Sequence, residues 1–518
     1  MPTESPAVSR DMAMGEVLRL RAQEHPDRIA LLTGDVSLTY TELDQCSERL
    51  ARGLRALGLQ VGDRLAVLLP NDWTLMVAWL ACAKGSYVMV PINTGFRAAE
   101  MQVICECSRP GVLITTPART DARQVFGDAG VKVVLVGDSA GGDGWLEGLD
   151  GPALETKAAA DTLVTMLFTS GSTGRPKGVV HDQFFWNSYA DVGYAEPFAY
   201  GSDTRYLSVM PLFHVNGLGF GWSVLFRGGL LVQHERFSAS RFWDWAREID
   251  ANGTFIIGSM ANMLVSRRPT PQDRAHQLRL ISTSALVAEK LHEFERRFGS
   301  VLLSCYGMTE GGGCTERPDR RRLGSSGVAT SGTELRVTAE DGSVCPPGVA
   351  GRIEMRDLAG GLAVGYWDLD NGGIAEQIRG AGWFKTSDFG ILDEDGFLFF
   401  EARERDRLRR SGENISAVEI ENVLRSHPAI QEAAVVAVSD PVVGDEVKAF
   451  VQLTEPDAAS LDEIVAYAAD RLAKFKQPRY WEFVNDMPRT PTERVKKHEL
   501  SRDVDGSVID VRDGVRGG

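Results

Sequence analysis

At 518 residues the chain is too long for one hydrophobic core, so two to four domains are expected. With 43% hydrophobic and 25% charged residues, its composition is that of an ordinary soluble globular protein. A net charge of -15 argues against a nucleic-acid surface but does not exclude an anionic small ligand, because local clusters can oppose the mean.

Seven cysteines, an odd number with no Cys-x-x-Cys, fit reduced thiols and a cytoplasmic location. Cys105 and Cys107 alone are too few for a zinc site and read as buried small hydrophobes. The first residues, Met-Pro-Thr-Glu-Ser-Pro, show no basic region followed by an apolar core, so no signal peptide is expected. The longest apolar region, 75–92, is broken by Lys84, Gly85 and Ser86 and is not expected to span a membrane.

In chain order, 29–32 and 37–40 read as short strands. Thr41 with Asp44 resembles a capping box opening a helix whose Leu43, Leu50, Leu54 and Leu57 share a face. Strand 64–69, helix 73–83, strand 87–92, helix 98–107 and strands 112–115 and 131–136 follow. This alternation argues for stacked α/β layers with parallel sheets. Residues 137–141, Gly-Asp-Ser-Ala-Gly, match a hydrolase nucleophile pattern centred on Ser139. That pattern needs a helix directly behind the serine, and the residues that follow are poor helix formers. A fluorophosphonate probe that labelled Ser139 would revive this competing class of enzyme.

The next stretch organises the rest. An apolar, β-branched run at 163–168 predicts a buried strand. It leads into Thr169, Ser170, Gly171, Ser172, Thr173 and Gly174, with Lys177 after Pro176. Glycines let the backbone approach a ligand, hydroxyls and main-chain N–H groups solvate oxyanions, and a lysine adds a point charge. These are the parts of a polyphosphate cradle, although the spacing is not that of a Walker A loop. A flexible Ser/Gly linker has the same composition but would not normally be wedged between two apolar strands.

Downstream come Pro-Leu-Phe-His214-Val-Asn-Gly, strand 229–233, helix 239–248, strands 254–257 and 278–282, and helix 288–298. Strand 301–305 then leads into Tyr306-Gly-Met-Thr309-Glu310. From 324 to 401 short strands with many Gly and Asp suggest an antiparallel meander or barrel. Residues 403–410 pack five arginines into eight positions, either a solvated charge run or a hinge. A final α/β unit is predicted to open with a capping box at Ser416 and Glu419. Strands 433–438 and 447–453 follow, then a helix with Leu461, Ile464, Val465, Ala468 and Leu472 on one face. The polar, Gly-rich tail beyond Asp503 is expected to be unstructured.

Segments 169–177, 306–310, 383–388 and 411–421 together resemble the ANL superfamily of adenylate-forming enzymes, in the family's motif order and from about residue 38 to 500. The stretches around His214 and 305–318 are most similar to the crotonobetaine/carnitine-CoA ligase-like branch. The resemblance implies an α/β fold with a large N-terminal domain of layered sheets plus a β-rich subdomain, and a small mobile C-terminal α+β domain. The expected division is 1–402, a hinge at 403–410 around Asp406, a lid domain at 411–502 and a tail at 503–518.

The implied activity is an AMP-forming ligase: ATP activates a small or medium organic acid as an acyl-adenylate, which passes to CoA, with Mg²⁺ bound. By the same resemblance, Thr169, Ser170, Gly171, Ser172, Thr173, Gly174 and Lys177 hold the β- and γ-phosphates. Tyr306 stacks on adenine, with core packing as the alternative. Thr309 meets the α-phosphate and Glu310 helps hold Mg²⁺. Asp388 accepts from the ribose hydroxyls, assisted by Arg403, a surface ion pair being the alternative. His214 lies beside the carboxylate pocket, and segments 255–264, 283–286 and 311–313 face the acid.

Departures from the family matter as much. Where the family has Pro-Arg-Thr-x-Thr-Gly-Lys, this chain reads Pro-Arg-Thr-Pro-Thr-Glu493-Arg494, followed by Val, Lys496 and Lys497. Arg494 stands at the catalytic lysine, and an arginine is a planar fork rather than a compact ammonium. Adenylation is then weakened, reassigned to Lys496 or Lys497, or adapted to another acid. Ser387 and Ala402 replace two further glycines. Alternative outcomes are carrier-protein loading, amide formation, nitrite-dependent diazotisation of an aryl amine, and a nucleotide-binding regulator without catalysis. The sequence names neither the acid nor the oligomeric state.

Overall fold

The computed structural model describes residues 8–137, 146, 148–149, 151–154, 158–169, 176–192, 196–284, 288–403, 407–410, 413–440, 444–490 and 493–511. Ser139, the loop from Ser170 to Gly174, Asp406 and residues 285–286 of an expected acid-facing segment lie outside the described residues.

Two large sheets carry the N-terminal body. In the nine-stranded one, Val301–Met308, Leu280–Ser284, Gly253–Ile257, Arg205–Ser208, Leu230–Gln233 and Ile29–Thr33 run parallel in that spatial order, with antiparallel strands at both edges. In the eight-stranded one, Leu163–Thr169, Val88–Pro91, Arg64–Leu68, Val112–Thr115 and Lys132–Leu135 are parallel. Lys177–Asp182 then folds back antiparallel on Leu163–Thr169.

One core cluster joins side chains of both sheets, such as Leu65, Val67, Leu207 and Ile256, to helices Trp73–Gly85 and Val215–Phe226. Helix Trp73–Gly85 is apolar on nearly every side and wholly buried, as such a pattern requires. Its Trp79 meets Trp186 edge to face at 5.0 Å, and both indole N–H groups donate to Thr165 Oγ1 at 3.0 Å. Lys84, the break in the apolar run, is buried and paired with Asp44 at 2.7 Å. Among the described residues no helix is long and apolar enough to cross a membrane.

The glycine-rich region is not one meander. Thr333–Thr338, Gly351–Asp357, Trp383–Leu392 and Leu398–Arg403 form a four-stranded antiparallel sheet. Gly365–Trp367 and Ile374–Gln377 leave it to extend the eight-stranded sheet, while Val328–Ala329 ends the nine-stranded one. These partners are distant in sequence, so local pattern does not specify them.

Beyond residue 407 a separate core gathers Leu408, Ile420, Val435, Val447, Ile464 and Trp481. Its sheet contains Arg407–Arg410, Glu413–Ser416, Ile430–Asp440, Gly444–Leu453, Tyr480–Phe483 and Ile509–Asp510. The expectation of an unstructured tail from 503 therefore fails through residue 511. Ile509–Asp510 pairs with Tyr480–Phe483, and Arg479 grips Asp510 at 2.7 Å. Residues 512–518 lie outside the described residues.

Two caps also differ from expectation. Thr39 and Glu42, two positions earlier than the predicted pair, form the reciprocal capping box of helix Tyr40–Ala56. The Ser416 hydroxyl accepts from the Glu419 N–H at 3.2 Å, but the Glu419 carboxylate turns to Lys476 at 2.7 Å. Helix Thr120–Asp128 has no counterpart in the sequence reading.

Candidate active site

Thr309 and Glu310 form the turn of an antiparallel hairpin made by Val301–Met308 and Gly311–Thr315. Gly311 closes it at φ +151°, where a Cβ would lie 2.4 Å from the Gly361 carbonyl oxygen. The Glu310 carbonyl accepts from the Ala363 N–H at 2.7 Å. The Thr309 carbonyl accepts from His181 Nε2 at 2.8 Å, which makes Nε2 the protonated nitrogen. Burial pushes the His181 pKa down to about 3, so the ring is neutral. Its Nδ1 has no partner among the described residues.

His181 and Lys177 share the strand Lys177–Asp182, whose partner register sets Thr169 opposite Lys177. The residues flanking the expected phosphate loop, Thr169 and Lys177, therefore lie side by side. On the other edge Tyr366 pairs with Val179. The Tyr366 hydroxyl donates to Glu310 Oε1 at 2.7 Å, and Lys177 Nζ sits 4.3 Å from the centre of the Tyr366 ring. Burial, and then the Glu310 charge, hold the Tyr366 phenol well above its ordinary pKa, so it stays a donor.

Asp388 lies on Trp383–Leu392, opposite Arg403 in the register. It is 5% exposed, so the alternative of a surface ion pair does not describe it. Tyr306 Oη donates to Asp388 Oδ2 at 2.8 Å, and Arg403 Nε stands 3.8 Å from Oδ1. Tyr306 is itself buried and stacks against Phe400 at 5.7 Å, so core packing is part of its role. Burial first, then the Asp388 charge, raise its phenol pKa well above the ordinary value.

The expected acid pocket draws on distant segments. His214 precedes helix Val215–Phe226, and its Nε2 is covered without a partner among the described residues. Burial, with the Arg494 charge second, lowers its pKa to about 4. Burial raises the Cys305 thiol to about 12, with Ser282 and the Arg494 charge opposing the rise. Arg494 thus acts electrostatically on two residues of the N-terminal body.

The Arg494 backbone is paired with that of Thr490. Its carbonyl accepts from the Thr490 N–H at 2.8 Å, and its own N–H donates to Thr490 Oγ1 at 3.1 Å. Glu493, in place of the family's glycine, adopts φ +59° in the left-handed region. Lys496 is paired with Glu499 at 2.8 Å and Lys497 with Glu421 at 2.6 Å, both within the C-terminal unit. The geometry does not favour reassigning the lysine's task to either.

Of the segments expected to face the acid, Thr283 Oγ1, Ser259 Oγ and Asn262 Oδ1 are covered and without partners among the described residues. They follow, or end, neighbouring parallel strands. No cluster of three or more His, Cys, Asp or Glu side chains that could hold a metal occurs among the described residues. The single Glu310 carboxylate nevertheless fits Mg²⁺, which keeps several waters and takes its remaining oxygens from substrate phosphates.

Sequence reasoning missed Tyr366 and His181. Their placement depends on strand pairing rather than on any motif; the nearest local signal was Gly365, where a Cβ would lie 2.3 Å from the Glu376 carbonyl oxygen.

The AMP-binding enzyme family model matches residues 18–367, and the model of the AMP-binding enzyme C-terminal domain matches 419–494. The chain is 32% identical over 483 residues to a crotonobetaine/carnitine–CoA ligase of Salmonella typhi, covering 89% of this chain and 92% of the relative. ATP-bound MatB from Rhodopseudomonas palustris superposes with a TM-score of 0.83 at 27% identity, over 93% of this chain and 97% of that one. A benzoate CoA ligase from Burkholderia xenovorans gives 0.83 at 25% identity, over 94% and 99%. The chain belongs to the AMP-binding enzyme family within the adenylate-forming ANL superfamily. It is an AMP-forming ligase of the acyl-CoA synthetase type, a class that uses ATP with Mg²⁺ and CoA.

Proposed function

We propose that the chain joins a small or medium organic acid to CoA through an acyl-adenylate. The single observation that carries this reading is the convergence of Lys177, Thr309 and Glu310 through Tyr366 and His181, as a triphosphate and its metal require. Relatives named for carnitine, crotonobetaine and benzoate support the size range of the acid.

A carboxylate oxygen of the acid attacks the α-phosphorus of ATP, and the bond to pyrophosphate breaks. The CoA thiolate then attacks the acyl carbon and AMP leaves. Positioning and charge compensation supply most of the catalysis in such a transfer. Thr169, Ser170, Gly171, Ser172, Thr173, Gly174 and Lys177 receive the outer phosphates, and Thr309 the α-phosphate. Tyr306, Asp388 and Arg403 receive the nucleoside. Glu310 would hold Mg²⁺, which neutralises phosphate charge. Neutral His214 and the Arg494 fork flank the acid carboxylate. Residues 1–402 form the catalytic body, and 411–502 pivot on 403–410 near Asp406 between the two steps. Reduced cysteines fit a cytoplasmic setting.

Arg494 favours a second reading in which the acid or acceptor differs: nitrite with an aryl amine, another amine, or a carrier-protein thiol. The test is incubation with ATP, Mg²⁺ and a panel of acids that includes nitrite, following pyrophosphate and AMP with and without CoA. CoA-dependent AMP release supports the first reading. AMP release that needs nitrite plus an aryl amine, and not CoA, supports the second. ATP binding without AMP from any acid would mean catalysis has been lost.

A further inference from the structure

Tyr366 matches none of the ligand roles assigned above, yet it touches two residues that do. Its hydroxyl donates to one oxygen of Glu310, and its ring face lies under the Lys177 ammonium. Lys177 and Glu310 make no ion pair with each other among the described residues, although both rest on the same side chain. We propose that Tyr366 is a positioning residue that keeps Lys177 and Glu310 apart and aims the free Glu310 oxygen at the metal–triphosphate. The inference rests on the nucleotide reading of Lys177 and Glu310.

A carboxylate beside an ammonium collapses onto it when nothing intervenes, and each then neutralises the charge the other should offer a ligand. An aromatic face gives the ammonium a weaker, non-competing partner that multiple phosphate oxygens readily outbid. The phenol takes up one carboxylate oxygen and leaves the second as the outward ligand for a hard cation.

The surroundings hold Tyr366 in this pose. Gly365 pairs with Val180 and Tyr366 with Val179 on the strand that starts at Lys177. The preceding segment is tied to the turn itself, through Ala363 N–H to the Glu310 carbonyl and a bridge between Gly311 and Leu362. Arg379 clamps the far end of that strand by pairing with Asp182 at 2.5 Å, and it also donates to the Leu362 carbonyl.

The test measures equilibrium binding of α,β-methylene-ATP, which resists cleavage at the reacting bond, to the full chain with and without Mg²⁺. Tyr366→Phe keeps the ring under Lys177 and removes only the hydroxyl. It is expected to lower the affinity gained from Mg²⁺ by about tenfold, the worth of a charged hydrogen bond, while metal-free affinity stays within about twofold. Tyr366→Leu removes the spacer and is expected to weaken binding without metal as well, by about fivefold. A Tyr366→Phe protein that gains as much from Mg²⁺ as the wild type overturns the inference. So does one that loses the same factor with and without the metal, the signature of a merely structural role. Failure of the wild-type chain to bind the analogue at all would remove the nucleotide reading, and this inference with it.

Discussion

The contacts around Glu310 come from the N-terminal body: Ala363 on its carbonyl and Tyr366 on its carboxylate, with His181 on the neighbouring Thr309 carbonyl. Around His214 the charge arrives from Arg494, almost three hundred positions later in the chain and in a unit with its own core. At this end polar atoms of His214, Ser259, Asn262 and Thr283 stay covered without partners among the described residues. On the proposed reading the nucleotide end is the one preorganised by buried hydrogen bonds, and the acid end is the one that draws a charge from the C-terminal unit and leaves polar atoms for a substrate to meet. That contrast also matches where the sequence departs from its family: the turn keeps the motif, whereas Glu493 and Arg494 do not.

If the nucleotide end is the rigid one, damage there should cost most. Glu310→Gln, which removes the metal-binding charge, is expected to slow pyrophosphate release by about a hundredfold or more. Stopped assays at saturating acid, repeated across Mg²⁺ concentrations, would measure it; a loss below about threefold would show that the turn does not serve the metal.

At the acid end the loss should be smaller. Arg494→Ala removes one charged hydrogen-bonding group, so adenylation should fall by about ten- to a hundredfold. Arg494→Lys should adenylate as fast as the wild type or faster. A collapse would mean that the site is rebuilt around the planar guanidinium, which would favour a different acid.

The two ends share a pH response. His181 and His214 titrate near pH 3 and pH 4 in the folded chain, against 6.5 when unfolded. Between those values the unfolded chain binds more protons, so stability rises with pH across this window and levels off above about 6.5. Thermal melts should therefore show Tm falling as pH drops from 6.5 to 4. His181→Phe should flatten part of that slope.

The smallest effect belongs to the Arg494 loop. Glu493→Gly relieves a left-handed backbone worth about 1–2 kcal/mol but adds unfolded-chain freedom worth about 0.4–1 kcal/mol. The net gain in stability should lie between about 0 and 1.6 kcal/mol, visible as an unchanged or modestly raised Tm.

Much of this was legible in the sequence. Parallel strands and amphipathic helices advertise themselves through period and composition, the expected phosphate loop through its Ser, Thr, Gly and Lys residues, and Thr309, Glu310 and Asp388 through resemblance to the family's motifs. Tyr366 and His181 did not, because their meaning depends on which strands become neighbours. The allocation of Gly365–Trp367 to the eight-stranded sheet, away from the strands flanking it in sequence, is a non-local outcome of the same kind. The short strand Ile509–Asp510 was hidden by a polar, Gly-rich setting; its edge pairing, the Arg479–Asp510 ion pair, the Val511 N–H on the Arg479 carbonyl and the Lys448 ammonium on the Ser501 and Asp503 carbonyls hold the segment.

The most direct test of the account separates the two half-reactions in Arg494→Ala, using an acid identified from the panel. The account predicts that pyrophosphate release from ATP falls by about ten- to a hundredfold, while thioester formation from the preformed adenylate and CoA is retained. Equal losses in both steps, or none in either, would contradict it.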